Sequence, residues 1–597
     1  MSAPAWTEVL PSPPPGAQLD EAWMTSFEPP DAALLVEHVL PSLLGIAHVL
    51  SEEPTARTMF FGELGSALEA LHGRLTVVSS PARVPLERSA YPWLWRYVSA
   101  FTVGATSTAV QHAKLWAFHW RTVHEELLEL HVSSTNLTAS AFKAQMQAGW
   151  RVRLVLGSRP TEQVRRTWGD LVPFLETLGE SAGRLAAERV GRLLALLGRV
   201  ECPAEVTFIA SVPRKRGGAR KLRLFEPTEL HVLTPSIGDW TEQTTAAWCD
   251  EAGLSPGRVH LKWIPANHPW ATAGGFALST RAKDALEGCG VKLECLPNAP
   301  RLAAEHRDAD PRWSHAKLYL LRSRRKRRLL VTSANFSVAA WGVGNRPPKN
   351  FELGVLFECE WDALERLGEP FDPPRTTAFC ADASEPEERE SPLEWAEASW
   401  DGYAIELRAR STDVTTPIAV SVAIADGTQV GSVLTSGHAR MPWADPRRTP
   451  VTAAFCQGAE RLEVAIVDIR TPAEFARTPL PELDLSHAEA IREAFILQRY
   501  GGPAVDSDSI GDKREAVLRA PASSAADYSV QAWTDARTAF AVLDGWRSAH
   551  AASSNDRARR ARIRQDGEEL RRIFARRGGP AFRLTCEEFR WRLEEDE

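Results

Sequence analysis

Apolar runs of strand length, bounded by Gly, Pro or charged turns, recur through residues 30–360 and alternate with stretches spaced for helices. Asp31 after Pro29-Pro30 predicts a helix N-cap, and "EVLPSLLGIAHVL" continues that helix past a proline kink. "MFFGELGSALEALHG" predicts a second helix and "RLTVVSS" a buried strand. "KLWAFHW" and "ELLELHVSS" then read as strands around a charged turn, followed by a helix over 138–148 and the strand "WRVRLVLGS". Helices dominate 160–200. A second cycle follows, with strands in "AEVTFIAS", "LHVLTPSI", "VHLKWIP", "VKLECLP", "AKLYLLR", "RRLLVTS" and "FELGVLFE" and a helix around 281–288. Two successive mixtures of strand and helix predict an α/β fold with two pseudo-symmetric lobes related by duplication.

The pattern changes past residue 375. "PFDPPRTTAFCADASEPEERESPLEW" is rich in proline and acid and has no period, as expected of a linker. "YAIELRARS", "IAVSVAIAD", "VTAAFC" and "LEVAIVDIR" alternate like strands of a small β-sandwich, and the remainder is helical. The expected organisation is a Pro-rich arm (1–30), first lobe (31–200), second lobe (201–375), acidic linker (376–394), β-sandwich (395–480) and helical C-terminal region (481–597).

A chain of 597 residues is too long for one core. Its net charge of -7 leaves nucleic-acid binding to local basic patches rather than a global field. The eight cysteines are scattered without Cys-x-x-Cys spacing, so they suggest neither a zinc site nor a disulfide framework. No basic segment followed by an apolar run opens the chain, and no uncharged apolar run reaches membrane-spanning length. A cytoplasmic protein without membrane partners is expected. Abundant Arg and Ala with little Lys points to a GC-rich, bacterial genome.

Against that scarcity of Lys, one arrangement occurs twice. "HAKLWAFHW" begins at His112 and "HAKLYLLRS" at His315. Each is followed by Ser-x-Asn, in "VSSTNLT" and "VTSANFS", so that Asn136 lies 22 residues after Lys114 and Asn335 lies 18 after Lys317. Only 11 of the 70 basic residues are Lys, yet both motif positions are Lys. Imidazole can attack phosphorus and carry a proton near neutral pH. Two imidazoles, two ammonium groups and two amides in one pocket would stabilise the charge on a pentacoordinate phosphorus, and this chemistry requires no metal or other cofactor.

The duplicated motif resembles that of the phospholipase D superfamily, most closely its tyrosyl-DNA phosphodiesterase branch. Most of the superfamily has an Asp five residues after each Lys, whereas this chain has His119 and Arg322, as that branch does in lacking the acid. "LLVTSANFSVAAWG" followed by "FELGVLF" is the most specific match, and the resemblance extends over roughly 30–360. It implies His112 as nucleophile, His315 as general acid and then base, and Lys114, Lys317, Asn136 and Asn335 as phosphoryl ligands. Glu352 and Gln147 fall where the family orients its imidazoles, and Ser134 and Ser333 would support the site by hydrogen bonding.

The function this implies is a metal-independent phosphodiesterase or nuclease acting on nucleic acid, DNA above all, through a covalent phosphohistidine. Its added C-terminal regions suit a subunit of a bacterial defence or repair assembly with a protein partner such as an ATPase. A phospholipase or phosphatidyltransferase is the alternative enzyme, and a non-catalytic nucleic-acid-binding scaffold the alternative without chemistry. The basic runs "RSRRKRR" and "PRKRGGARKLRLF" could meet phosphates or form solvated turns. Trp116, Tyr319 and Trp341 could stack on bases or pack the core.

Overall fold

The computed structural model describes the chain apart from residues 1–9, 52–53, 82–88, 104–109, 264–274, 296–312, 371–377, 381–391, 425–428, 444–448, 471–495, 502–524, 554–556 and 596–597 and single positions 144, 216, 325, 436, 498 and 578. Much of the expected acidic linker therefore lies outside the described residues. Two compact units emerge, one of residues 1–45 and 68–476, the other of 46–67 and 477–597.

In the larger unit a first sheet has six strands, ordered Val98–Thr102, Leu75–Ser79, Gln18–Thr25, Leu115–Arg121, Glu126–Ser133 and Gly149–Val155. Six of the nine strands of a second sheet repeat this scheme: Lys292–Cys295, Val259–Trp263, Glu229–Thr234, Leu318–Arg322, Arg327–Thr332 and Asn350–Glu358. In both, the third strand in this order runs parallel to the second and antiparallel to the fourth. The motif lysines lie immediately before the fourth strand of each sheet, so the sequence repeat is also a repeat of strand topology.

Gln18–Thr25 corrects the expectation of an N-terminal arm, because it is a central strand. Its acids conceal it in the sequence: Asp20 pairs with Arg74 and His119, and Glu21 is buried against Arg192. At the next element Asp31 does cap a helix, accepting from the Ala33 and Leu34 amides. The helix passes through a π turn over Leu35–Val39 and ends at Gly45, whose φ of 63° suits glycine. The helix expected over 138–148 is one turn, Ala139–Lys143, followed by the two-residue strand Gln145–Met146.

Helices Leu171–Ala182 and Arg184–Leu197 bury Leu, Phe and Ala on one face of the first sheet. Glu242–Ala252 and Thr280–Gly288 contribute to the core of the second. Seven further strands between Leu393 and Asp468 form one sheet around a core of their own. The smaller unit includes Ala525–Ala552, Arg557–Arg577 and Pro580–Glu595, with a core containing Trp546, Leu570, Phe574 and Phe589. Among the described residues no helix is long and apolar enough to cross a membrane.

Candidate active site

Both motif histidines are placed by short parallel strand pairs that link the two halves of the sequence. Val110–Gln111 runs parallel to Asn350–Phe351, and the His112 amide donates to Phe351 O at 3.1 Å. Gln145–Met146 pairs in parallel with Trp313–Ser314, and the His315 amide donates to Met146 O at 2.8 Å. Each histidine is thereby carried to the segment holding the residue that orients it. Glu352 is two residues beyond Asn350, and Gln147 follows Met146 directly.

His112 Nδ1 lies 2.9 Å from the Glu352 carboxylate. A carboxylate only accepts, so Nδ1 bears the proton and Nε2 keeps its lone pair. Burial pulls the His112 pKa down to about 4, with Glu352 opposing and Lys114 reinforcing the change. The imidazole is therefore neutral at physiological pH. Burial would raise the Glu352 pKa, but His112, Lys114 and Ser333 hold it below the usual value. Ser333 Oγ donates to this carboxylate, and Asn350 Nδ2 donates to it at 3.0 Å.

His315 has the same geometry with a different backing group. Its Nδ1 faces Ser134 O at 3.1 Å and Gln147 Oε1 at 3.2 Å, two acceptors that again fix the proton on Nδ1. Ser134 Oγ donates to Gln147 Oε1 at 2.6 Å and so orients the amide. Thus both motif serines hold the groups that orient the imidazoles. His315 Nε2 lies 2.8 Å from Lys317 Nζ, and burial together with Lys317 and Lys114 pushes its pKa well below 6.5.

Lys114 and Lys317 are completely buried. The histidine and lysine of each motif lie just before the strand, and each ammonium also donates to its own histidine's carbonyl. Burial lowers the Lys114 pKa to about 8 and that of Lys317 well below its usual value. Glu352 and Glu28 favour the charged form of both lysines. Lys114 disfavours the charge on Lys317, and burying two ammonium groups that repel each other is costly unless an anion joins them.

Asn136 is buried and accepts from the Phe27 amide at 3.2 Å, leaving its NH2 group to donate. Asn335 is half-buried, with its side-chain oxygen unpaired among the described residues. Phe27 and Glu28 were not anticipated. Phe27 lies 4.9 Å from the His112 ring and 5.7 Å from Lys114 Nζ. They follow the strand whose alternation is hidden by acids, so the missing signal was that strand.

Other singled-out residues have structural roles. Trp116, Tyr319 and Trp341 are buried, and Trp341 Nε1 donates to the Tyr319 hydroxyl at 2.9 Å. In the basic hairpin Arg322, Lys326, Arg327 and Arg328 reach Glu229, Glu358 or Glu365. In the other basic run Lys221 pairs with Asp170 and Arg220 with Glu251.

Residues 285–416 match the family model described as Tyrosyl-DNA phosphodiesterase, a span that contains His315, Lys317, Ser333, Asn335 and Glu352. Phosphodiesterase, the enzyme class read from the motifs, is the class of the matched family. The yeast tyrosyl-DNA phosphodiesterase structure is similar at 16% identity and a TM-score of 0.40, covering 59% of this chain and 85% of that one. Polyphosphate kinase from Porphyromonas gingivalis is similar at 10% identity and a TM-score of 0.27, covering 58% and 41%. At those scores neither likeness bears on the chemistry. No curated protein matches the chain in sequence.

Proposed function

We propose that this chain is a phosphodiesterase of nucleic acid, DNA above all, that works through a covalent phosphohistidine. The two sheets are then the phospholipase D-like lobes, and the third sheet and C-terminal helices are additions to them. One observation carries the reading: two buried neutral imidazoles, each with Nδ1 held by an acceptor, beside two buried ammonium groups.

His112 Nε2 attacks phosphorus while the leaving oxygen takes a proton from His315, forming a P–N bond as the P–O bond breaks. His315, now neutral, removes a proton from water. The resulting hydroxide attacks phosphorus, the P–N bond breaks, and His112 is released. Lys114, Lys317 and the two asparagines stabilise the non-bridging oxygens, supplying by ammonium groups the charge a metal would otherwise bring. Free of substrate, His315 is neutral; an incoming phosphate offsets Lys114 and Lys317 and so favours the protonated form the first step needs.

The test is a panel of 3′-tyrosyl oligonucleotide, single-stranded and duplex DNA, RNA and phosphatidylcholine vesicles, each with and without EDTA. Turnover of a DNA substrate in EDTA is expected. Hydrolysis of the vesicles alone would make the protein a phospholipase, and activity at the motif residues that requires added metal would overturn the mechanism.

A further inference from the structure

A second group of donors lies on the second sheet, away from the core-packed face. Glu229 and His231 are two residues apart on one strand and so share a face. His260 lies directly opposite His231 on the parallel neighbour, and Glu294 is on the next strand. Leu230, Val232, Val259, Leu261 and Leu293 point the other way, into the core.

We propose that Glu229, His231 and His260 bind a divalent transition-metal ion of the zinc class that fastens these strands together. One ligand atom from each residue lies within 4.8 Å of the others. His260 Nδ1 is 2.7 Å from Glu294 Oε1, so Nδ1 donates to that carboxylate and Nε2 is the nitrogen turned toward Glu229. Glu229 Oε1 lies 3.1 Å from that nitrogen, so an ion placed there would be held by the imidazole and the carboxylate together. A carboxylate behind the far nitrogen of an imidazole is how metal-binding histidines are commonly oriented. His231 Nε2 is 3.9 Å from the same oxygen, and the two rings stack at 4.4 Å.

His231 adds an independent sign. It is buried, yet its Nδ1 has no hydrogen-bond partner among the described residues.

Nearby cations leave room for the ion. Lys262 is neutralised by Glu294 at 2.5 Å, and Arg327 pins Glu365. Arg322, 3.3 Å from Glu229, and Lys292, 3.4 Å from His260 Nε2, are exposed side chains that can turn into solvent. Two nitrogens and a carboxylate, with water as a fourth ligand, suit zinc better than calcium or magnesium. The Glu229 strand pairs with Leu318–Arg322, the strand following Lys317, so the ion would stiffen the platform without touching phosphorus.

The proposal is independent of the phosphodiesterase reading, and its test measures binding. The full-length protein is stripped with chelator and titrated with Zn²⁺ and Co²⁺, following metal content, the visible absorption of tetrahedral Co²⁺ and the melting temperature. About one ion per chain and a rise in melting temperature of several degrees are expected. His231→Gln and His260→Gln should bind at least about tenfold more weakly, and Glu294→Gln about 10- to 100-fold more weakly because the His260 ring loses its anchor. His124→Gln, in an exposed turn, should bind normally. Should a histidine variant fail to fold, the native chain and Glu294→Gln decide the matter. No Co²⁺ absorption in the native chain, or undiminished binding in Glu294→Gln or in a folded histidine variant, overturns the proposal.

Discussion

The two halves of the site share their motifs and strand topology and differ in what stands behind each imidazole. His112 Nδ1 donates to the Glu352 carboxylate, whereas His315 Nδ1 meets the Gln147 amide and a backbone carbonyl. A full negative charge makes the opposite nitrogen more nucleophilic and stabilises the imidazole as it becomes cationic on bonding phosphorus. An amide fixes the ring without raising its proton affinity as far, which suits a group that must both give and take a proton. In the proposed mechanism the two histidines of the repeated motif take separate tasks, and this one acid–amide difference is what would assign them.

The largest effect should come from deleting the histidines separately. With a p-nitrophenyl phosphodiester, His112→Ala should lose about 10⁴-fold or more in rate and trap no label, since the nucleophile is gone. The good leaving group barely needs an acid, so His315→Ala should still form the adduct and then resolve it slowly. Denaturing gels with labelled substrate, followed by peptide mapping, should place an acid-labile, base-stable label on His112. Label on His315 in the His112→Ala protein would reverse the assignment.

Lys317→Arg and Lys114→Arg come next, each with an expected loss of about a hundredfold in kcat/KM. A guanidinium fork is too broad for a buried point-charge site, and the loss corresponds to removing one oxyanion donor. Near-native rates for either would place the phosphoryl site elsewhere. Glu352→Gln should also cost about a hundredfold, the lower range for a proton-handling group. It makes the two halves alike, so a smaller effect than that of Gln147→Ala would remove the basis of the comparison.

Much of this was legible because the chemistry is written locally, in motifs of a few residues whose spacing survives folding. Glu352 could be found by its place in "FELGVLF" and Gln147 by its distance from Asn136, and both lie against the imidazoles. The central strand Gln18–Thr25 was not legible, because its polar residues are satisfied by Arg74, His119 and Arg192, partners far away in sequence. Phe27 and Glu28 were lost with it. Nor does the sequence reveal that the third sheet supports the first. Glu397 accepts from the Leu185 amide at 2.7 Å at the start of a core helix, and Val467 joins the first sheet's core. A chain cut at residue 390 would therefore leave buried groups uncovered, contrary to what the linker-like composition before Leu393 suggests.

The smallest expected effect is the most discriminating, because it changes a pH profile rather than a rate. For the free enzyme and a p-nitrophenyl substrate, kcat/KM should rise as His112 loses its proton near pH 4 and should have fallen by about pH 8, where Lys114 loses its charge, with the lowered pKa of Lys317 acting in the same direction. A poor leaving group adds a requirement for protonated His315. Because burial and the two lysines set that pKa well below 6.5, activity on a tyrosyl or alkyl ester should decline on the alkaline side earlier than on the p-nitrophenyl ester. Gln147→Glu places a carboxylate behind His315 and should raise its pKa, moving that alkaline limb upward by about one pH unit or more. The p-nitrophenyl profile, which does not need the acid, should keep its limits. A shift in both profiles would mean that the new charge acts on the lysines, and a shift in neither would mean that His315 is not the acid.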